Sequence, residues 1–290
     1  MFPAPPMPTF PAGQSMTAAM ALRFEDVTQQ GYLLPIAIPP VLAPLWREVV
    51  APHPGVRNSI ATGVIPILTR LTLVADDQQV RADRPGEAHA GFVLARHGDG
   101  AEIRLYFNAW AELRAAAGKL SRRAAQGELA RAGTLFAEHT FTRPLAPPEQ
   151  RRVTRFAVEG FPALPDVEYA APPSTSAQAA PPGAQWLDEL TPDSAEYCFT
   201  FDQTDSNQHV NSLVYIRILL DAMNRRLAAT GRPLQVRSRA IDIAYRKPCF
   251  AGDRVRAHLR LFELAGSVGA AGRIAGADGK PRCFVRALLA

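Results

Sequence analysis

Asp205, Asn207, His209 and Asn211 stand at alternate positions in a single stretch, Phe201-Asp-Gln-Thr-Asp-Ser-Asn-Gln-His-Val-Asn-Ser-Leu-Val-Tyr215. A carboxylate, an imidazole and two amides at that spacing share one face of an extended segment and can converge on one point. A strongly helical run follows at once, so the point lies beside a helix N-terminus, where unpaired N–H groups polarise a carbonyl oxygen. A carboxylate to handle water, an imidazole and amide to orient it, and a dipole at the carbonyl suit hydrolysis of an activated acyl group.

Each residue also has a plainer use. Asp205 serves equally as a turn residue and Asn211 as a helix N-cap. His209 could be a hydrogen-bonded structural histidine. Cys249 reads as a small buried apolar residue before it reads as a nucleophile. Asp242 alternates with Ile241 and Ile243, so its side chain faces away from theirs.

The elements that must position these groups fall into two similar halves. In the C-terminal half a short strand at Glu196–Asp202 leads into the polar stretch. A helix then spans Ser212–Ala229 and stops before Gly231 and Pro233. Strand-like stretches follow at Val236–Tyr245, Arg254–Leu264 and Gly272–Leu289, the last broken by a turn at Ala277–Lys280. The helix leaves only a narrow polar stripe of Arg217, Asp221 and Arg225, so it should be largely enclosed.

The N-terminal half has Ala21–Asp26 before a polar turn, Thr28–Gly31. A helix near Pro40–Val50 is expected next, then strands at Ser59–Val74, His89–Arg96, Glu102–Ala111 and Gly133–Thr142. Asp166–Gln185, with two Pro-Pro pairs among Ala, Ser and Gly, reads as an extended linker. The proline-rich start, Met1–Gln14, reads as disordered. The expected division is a disordered 1–15, an N-terminal domain at 16–145, a linker at 146–190 and a C-terminal domain at 191–290.

Composition excludes several other classes. A chain of 290 residues with 47% hydrophobic and 20% charged content can bury a sizeable core. Three scattered cysteines make no disulfide framework, and six unclustered histidines without a C-x-x-C pair suggest no metal site. No apolar run reaches the roughly 20 residues of a membrane-spanning helix. No basic region precedes an apolar core at the N-terminus, so a cytoplasmic location is expected. Between Arg217 and Arg260 stand eleven Lys/Arg against three Asp. Such a field suits an anionic partner, an acidic carrier protein or coenzyme phosphates, unless these are simply solvated faces. No motif or interleaved aromatics accompany the charge, so nucleic acid is not expected.

The run Thr204-Asp-Ser-Asn-Gln-His-Val-Asn211, with Tyr215 four residues on, resembles the motif of hot-dog-fold thioesterases. Its Asp-x-Asn-Gln-His-Val-Asn form is most similar to acyl-ACP thioesterases with two hot-dog domains in one chain, and Tyr245–Asp253 resembles the strand and turn that follow. The likeness covers residues 196–256. It implies an α+β fold of two hot-dog domains forming an intramolecular pseudo-dimer, each a curled antiparallel sheet wrapped around a central helix. Pairing of two chains stays open. It implies a cofactor-free thioester hydrolase in fatty acid metabolism, acting on acyl carrier protein or coenzyme A thioesters. Asp205 would be base or nucleophile, Asn207 and His209 its assistants, and Val210, Asn211 and Tyr215 substrate contacts.

One departure stands out: these enzymes place a glutamate just before the cysteine, where this chain has Pro248. Asp205 then acts alone, another carboxylate substitutes, or the protein binds acyl thioesters without catalysis. A hydratase of the same fold needs Asp-x-x-x-x-His, one residue longer than here. In the N-terminal half Thr28 stands opposite Asp205 and Tyr32 opposite His209, so one active site per chain is expected.

Overall fold

The structure, a computed structural model, describes residues 2, 4–118, 128–234 and 236–290. Residues 119–127, inside the expected N-terminal domain, lie outside the described residues, as do Met1 and Pro3 of the expected tail. One antiparallel sheet runs through the molecule. The first half supplies β1 (Ser15–Ala21), β2 (Ile65–Ala75), β3 (Pro85–His97), β4 (Arg104–Ala116) and β5 (Leu129–Thr142). The second supplies β6 (Gln185–Trp186), β7 (Thr191–Cys198), β8 (Ser238–Tyr245), β9 (Arg254–Leu264), β10 (Ser267–Gly276) and β11 (Pro281–Leu289). The strand order is β1-β3-β4-β5-β2-β8-β11-β10-β9-β6, with β7 also on β9. The two halves mirror each other about the antiparallel pair β2–β8, where Thr72 lies opposite Asp242.

Alternation decides which face each side chain takes. In β8, Ile241 and Ile243 enter the main core, while Ala240 and Ala244 join small clusters on the outer face. The helix α3 (Ser212–Ala229) packs on the inner face through Tyr215, Ile216, Ile218, Leu219, Ala222, Met223 and Leu227. That spacing makes one apolar stripe, and burying each large aliphatic side chain contributes about 1.5–3 kcal/mol. Arg217, Asp221 and Arg225 form the exposed stripe.

The matching helix of the first half differs from the expected Pro40–Val50 run. It breaks into α1 (Leu42–Leu45), a π-helical turn at Trp46–Val50 and α2 (Pro54–Ala61). Pro54 has no N–H to continue the ladder, so the chain restarts there, with the His53 ring accepting the Gly55 N–H at 3.2 Å. Residues 59–61 are therefore helical, and the strand expected from Ser59 begins at Ile65.

The tail read as disordered and the segment read as an extended linker are both laid against the outer face. Phe10 packs on Trp110 and His89, and the Trp110 indole donates to the Pro5 carbonyl at 3.0 Å. The aromatic outer patch of Val93, Trp110 and Phe136 requires cover, which a reading by composition overlooks. The proline-rich linker is likewise a strap. Tyr169 donates to Glu138 at 2.7 Å, the Ser176 hydroxyl accepts from Arg70 at 3.0 Å, and Ala177 is fully buried. Beneath it Asp242, fully buried, accepts two hydrogen bonds from Arg70 (2.8 and 2.6 Å) and one each from Arg286 (3.0 Å) and Thr72 (3.1 Å). Asp242 thus ties the two halves together on the face away from α3.

Candidate active site

The 201–211 stretch is a tight turn rather than the extended segment the alternation suggested. Thr204 bridges Val210, the Asp205 N–H donates to the His209 carbonyl at 2.9 Å, and the Gln208 N–H returns to the Asp205 carbonyl at 2.9 Å. Gln208 has φ +64°, a left-handed conformation that costs a non-glycine residue free energy. The Asp205 carboxylate accepts the Asn207 N–H at 2.9 Å, an Asx turn. Asp205 is half-buried, while Asn207 and His209 are exposed. The turn itself brings the three residues together, at the N-terminal end of α3.

What holds the turn is a set of bonds to the helix and the following strand. The Asn211 side chain caps α3 by accepting the Leu213 N–H at 2.9 Å, and its carbonyl takes the Val214 N–H at 3.0 Å. The buried Val210 donates its N–H to the Cys249 carbonyl at 2.8 Å. The Tyr215 hydroxyl, also buried, accepts the Cys249 N–H at 2.9 Å, and Tyr245 donates to the Ser212 carbonyl at 3.0 Å. Burial holds both phenols well above the usual tyrosine range. Val210 and Tyr215, expected to touch substrate, are buried and tie the turn and α3 to Cys249. Burial also raises the Cys249 thiol, which is the inert apolar residue its setting suggests.

Phe250, half exposed, sets its ring edge-on to His209 with centroids 5.3 Å apart. Its own N–H donates to Asp253 at 3.0 Å. The motif alone gave no signal for the Phe250–His209 contact or the Tyr215–Cys249 bond, since both depend on a loop 34–41 residues away in sequence.

The first half keeps the same turn with other residues on it. The Thr28 N–H donates to the Tyr32 carbonyl at 2.8 Å and the Gly31 N–H to the Thr28 carbonyl at 2.8 Å, with Val27 bridging Leu33. Thr28, Gln30 and Tyr32 stand where Asp205, Asn207 and His209 do. Leu34, in the place of Asn211, offers no cap to the helix. The Arg237 guanidinium lies 4.4 Å from the Tyr32 ring centroid, covering that turn.

A cleft of about 410 Å³ runs beside the C-terminal turn. Thr204 and Asn211, which flank the turn, line it together with Tyr197, Asp202 and Arg217; Asp205, Asn207 and His209 do not. The basic field is largely neutralised by acids outside the stretch that suggested it. Arg225 pairs with Asp193, Arg226 with Asp188, Arg237 and Arg239 with Asp77, and Arg254 with Glu196. Arg217, Lys247 and Arg256 make no ion pair among the described residues. No helix among the described residues is long and apolar enough to cross a membrane.

A family model described as the acyl-ACP thioesterase C-terminal domain matches residues 191–283, which contain the turn, α3 and the Tyr245–Asp253 segment. Over that stretch, about a third of the chain, it is similar to the acyl-ACP thioesterase family. Solved structures align over nearly the whole length. An acyl-ACP thioesterase from Bacteroides thetaiotaomicron is 13% identical, with TM-score 0.59, covering 95% of this chain and 98% of its own. A 12:0-ACP thioesterase from Umbellularia californica is 12% identical, with TM-score 0.59, covering 95% and 94%. At such identities the likeness establishes the fold, two hot-dog halves in one chain. A comparison with curated proteins finds no match. The acyl-ACP thioesterase family is one of hydrolases.

Proposed function

We propose that this chain hydrolyses fatty acyl thioesters of acyl carrier protein or coenzyme A at the turn 205–209, acting in the cytoplasm. The reading rests on one observation: the family match runs through the turn that carries Asp205, Asn207 and His209 to the capped start of α3. Asn211 engages the Leu213 and Val214 N–H groups, so the Ser212 N–H heads the helix and, with the dipole, receives the thioester oxygen. Asp205 activates water or attacks the carbonyl directly. In the first route the activated water adds to the carbonyl and the thiolate leaves with the proton Asp205 took. In the second the thiolate leaves an Asp205 acyl anhydride, which water then cleaves to free acid and carboxylate. His209 and Asn207 orient the reactants. General-base help of this kind contributes ~10²–10⁴-fold. The two solved relatives named above are named for acyl-ACP, which favours the carrier protein.

Asp205 works without the expected second carboxylate, because Pro248 has no acid to offer. That same residue favours the second reading, an acyl-thioester-binding protein without turnover. Release of free thiol from acyl-ACP and acyl-CoA of several chain lengths separates the two. Turnover on any of them supports hydrolysis, whereas saturable binding with no release above the uncatalysed rate establishes the binding protein.

A further inference from the structure

We propose that a small cavity at the C-terminal end of α2 is a binding site for a short-chain carboxylic acid, separate from the turn at 205–209. The cavity, of about 130 Å³, is closed by Ser59 and Val64 on one side and by Val153, Phe156, Arg143 and Arg155 on the other. Ser59 is 1% exposed, and its hydroxyl has no hydrogen-bond partner among the described residues. The neighbouring Thr62 hydroxyl is spent on the Ser59 carbonyl at 2.8 Å. Arg143 is half-buried and Arg155 exposed, and neither makes an ion pair among the described residues. A buried unpaired hydroxyl beside two free guanidiniums calls for an acceptor bearing negative charge.

The walls decide which anion. Val64, Val153 and Phe156 are buried apolar surfaces. Phosphate needs hydrogen-bond donors all round and finds only carbon on that side. A carboxylate with a short alkyl tail meets both halves of the site: its oxygens accept from Ser59 and the guanidiniums, and its tail lies on the valines and Phe156. A cavity of roughly 150 Å³ holds a benzene-sized group, so the fit is an acid of about six carbons. Such acids are the product class of thioester hydrolysis, but binding here requires no turnover and stands independently of that reading.

Isothermal titration calorimetry of the full chain with sodium hexanoate tests the proposal, with inorganic phosphate and hexanol as controls. Expected is saturable hexanoate binding at about 1 mM or tighter, loosened about tenfold by Arg143→Ala with Arg155→Ala. Ser59→Val, which removes the buried hydroxyl and narrows the cavity, weakens it by a comparable factor. Should Ser59→Val fail to fold, Arg155→Ala alone carries the test, since that side chain is exposed and makes no ion pair among the described residues. No saturable heat below about 10 mM, binding unchanged in the arginine variants, or phosphate binding as tightly as hexanoate each overturns the proposal.

Discussion

His139 offers the most quantitative test of how this core is built. It sits on β5 at 6% exposure, facing the first-half helix, with the Trp46 ring 6.0 Å and the Phe107 ring 5.5 Å away. Its Nδ1 lies 3.2 Å from the Phe107 carbonyl, and no carboxylate pairs with it among the described residues. Burial lowers its pKa from 6.5 to about 4. The unfolded chain therefore takes up this proton near pH 6.5 while the folded chain refuses it until about pH 4, so stability rises with pH through that window. A gap of roughly 2.5 units corresponds to about 3 kcal/mol lost between pH 7 and pH 4 through this one group. His139→Leu keeps the volume and removes the titration. It should cost ~1 kcal/mol at pH 7 for the lost hydrogen bond, yet flatten the acid limb by ~2–3 kcal/mol. Urea unfolding followed by tryptophan fluorescence at pH 7, 5.5 and 4.5 measures both. His53 and His258 titrate alike in parent and variant, so the difference isolates His139. Parallel pH dependences in the two proteins would refute the reasoning.

Asp242→Asn strands Arg70 and Arg286 as uncompensated buried cations and should destabilise the chain by ~3–5 kcal/mol in urea unfolding; a change under ~1 kcal/mol would show that the strap and sheet do not depend on the cluster. Tyr215→Phe removes the acceptor of the Cys249 N–H and should cost ~1–2 kcal/mol in thermal unfolding. Asn211→Ala strips the α3 cap and should cost ~1 kcal/mol by the same measurement.

The C-terminal half was the more legible part of the sequence because its elements are set by local signals. Arg254–Leu264 alternates cleanly and forms a strand with those ends, and Asn211 with Gly231 brackets the α3 helix. The first half follows long-range demands instead. Its helix is interrupted where Pro54 lacks a donor, and Ser15–Ala21 becomes a strand because β3 presents an edge to pair with. The tail and linker are ordered by the aromatic and charged outer face they cover, and that face does not exist until the sheet has formed. At the turn, the alternating polar residues were visible, but alternation implied an extended face. The Asx bond of Asp205 and the positive φ of Gln208 fold them into a hairpin instead. The counterpart turn at Thr28–Tyr32 was legible in its position, whereas its cover, Arg237, comes from the other half.

Asp205→Asn tests the central claim most directly, since asparagine keeps an oxygen for the Asn207 N–H and removes only the charge. In single-turnover thiol release from acyl-ACP, with circular dichroism matching the parent, the account predicts a fall of ~10²–10⁴-fold. A variant that releases thiol as fast as the parent would contradict it.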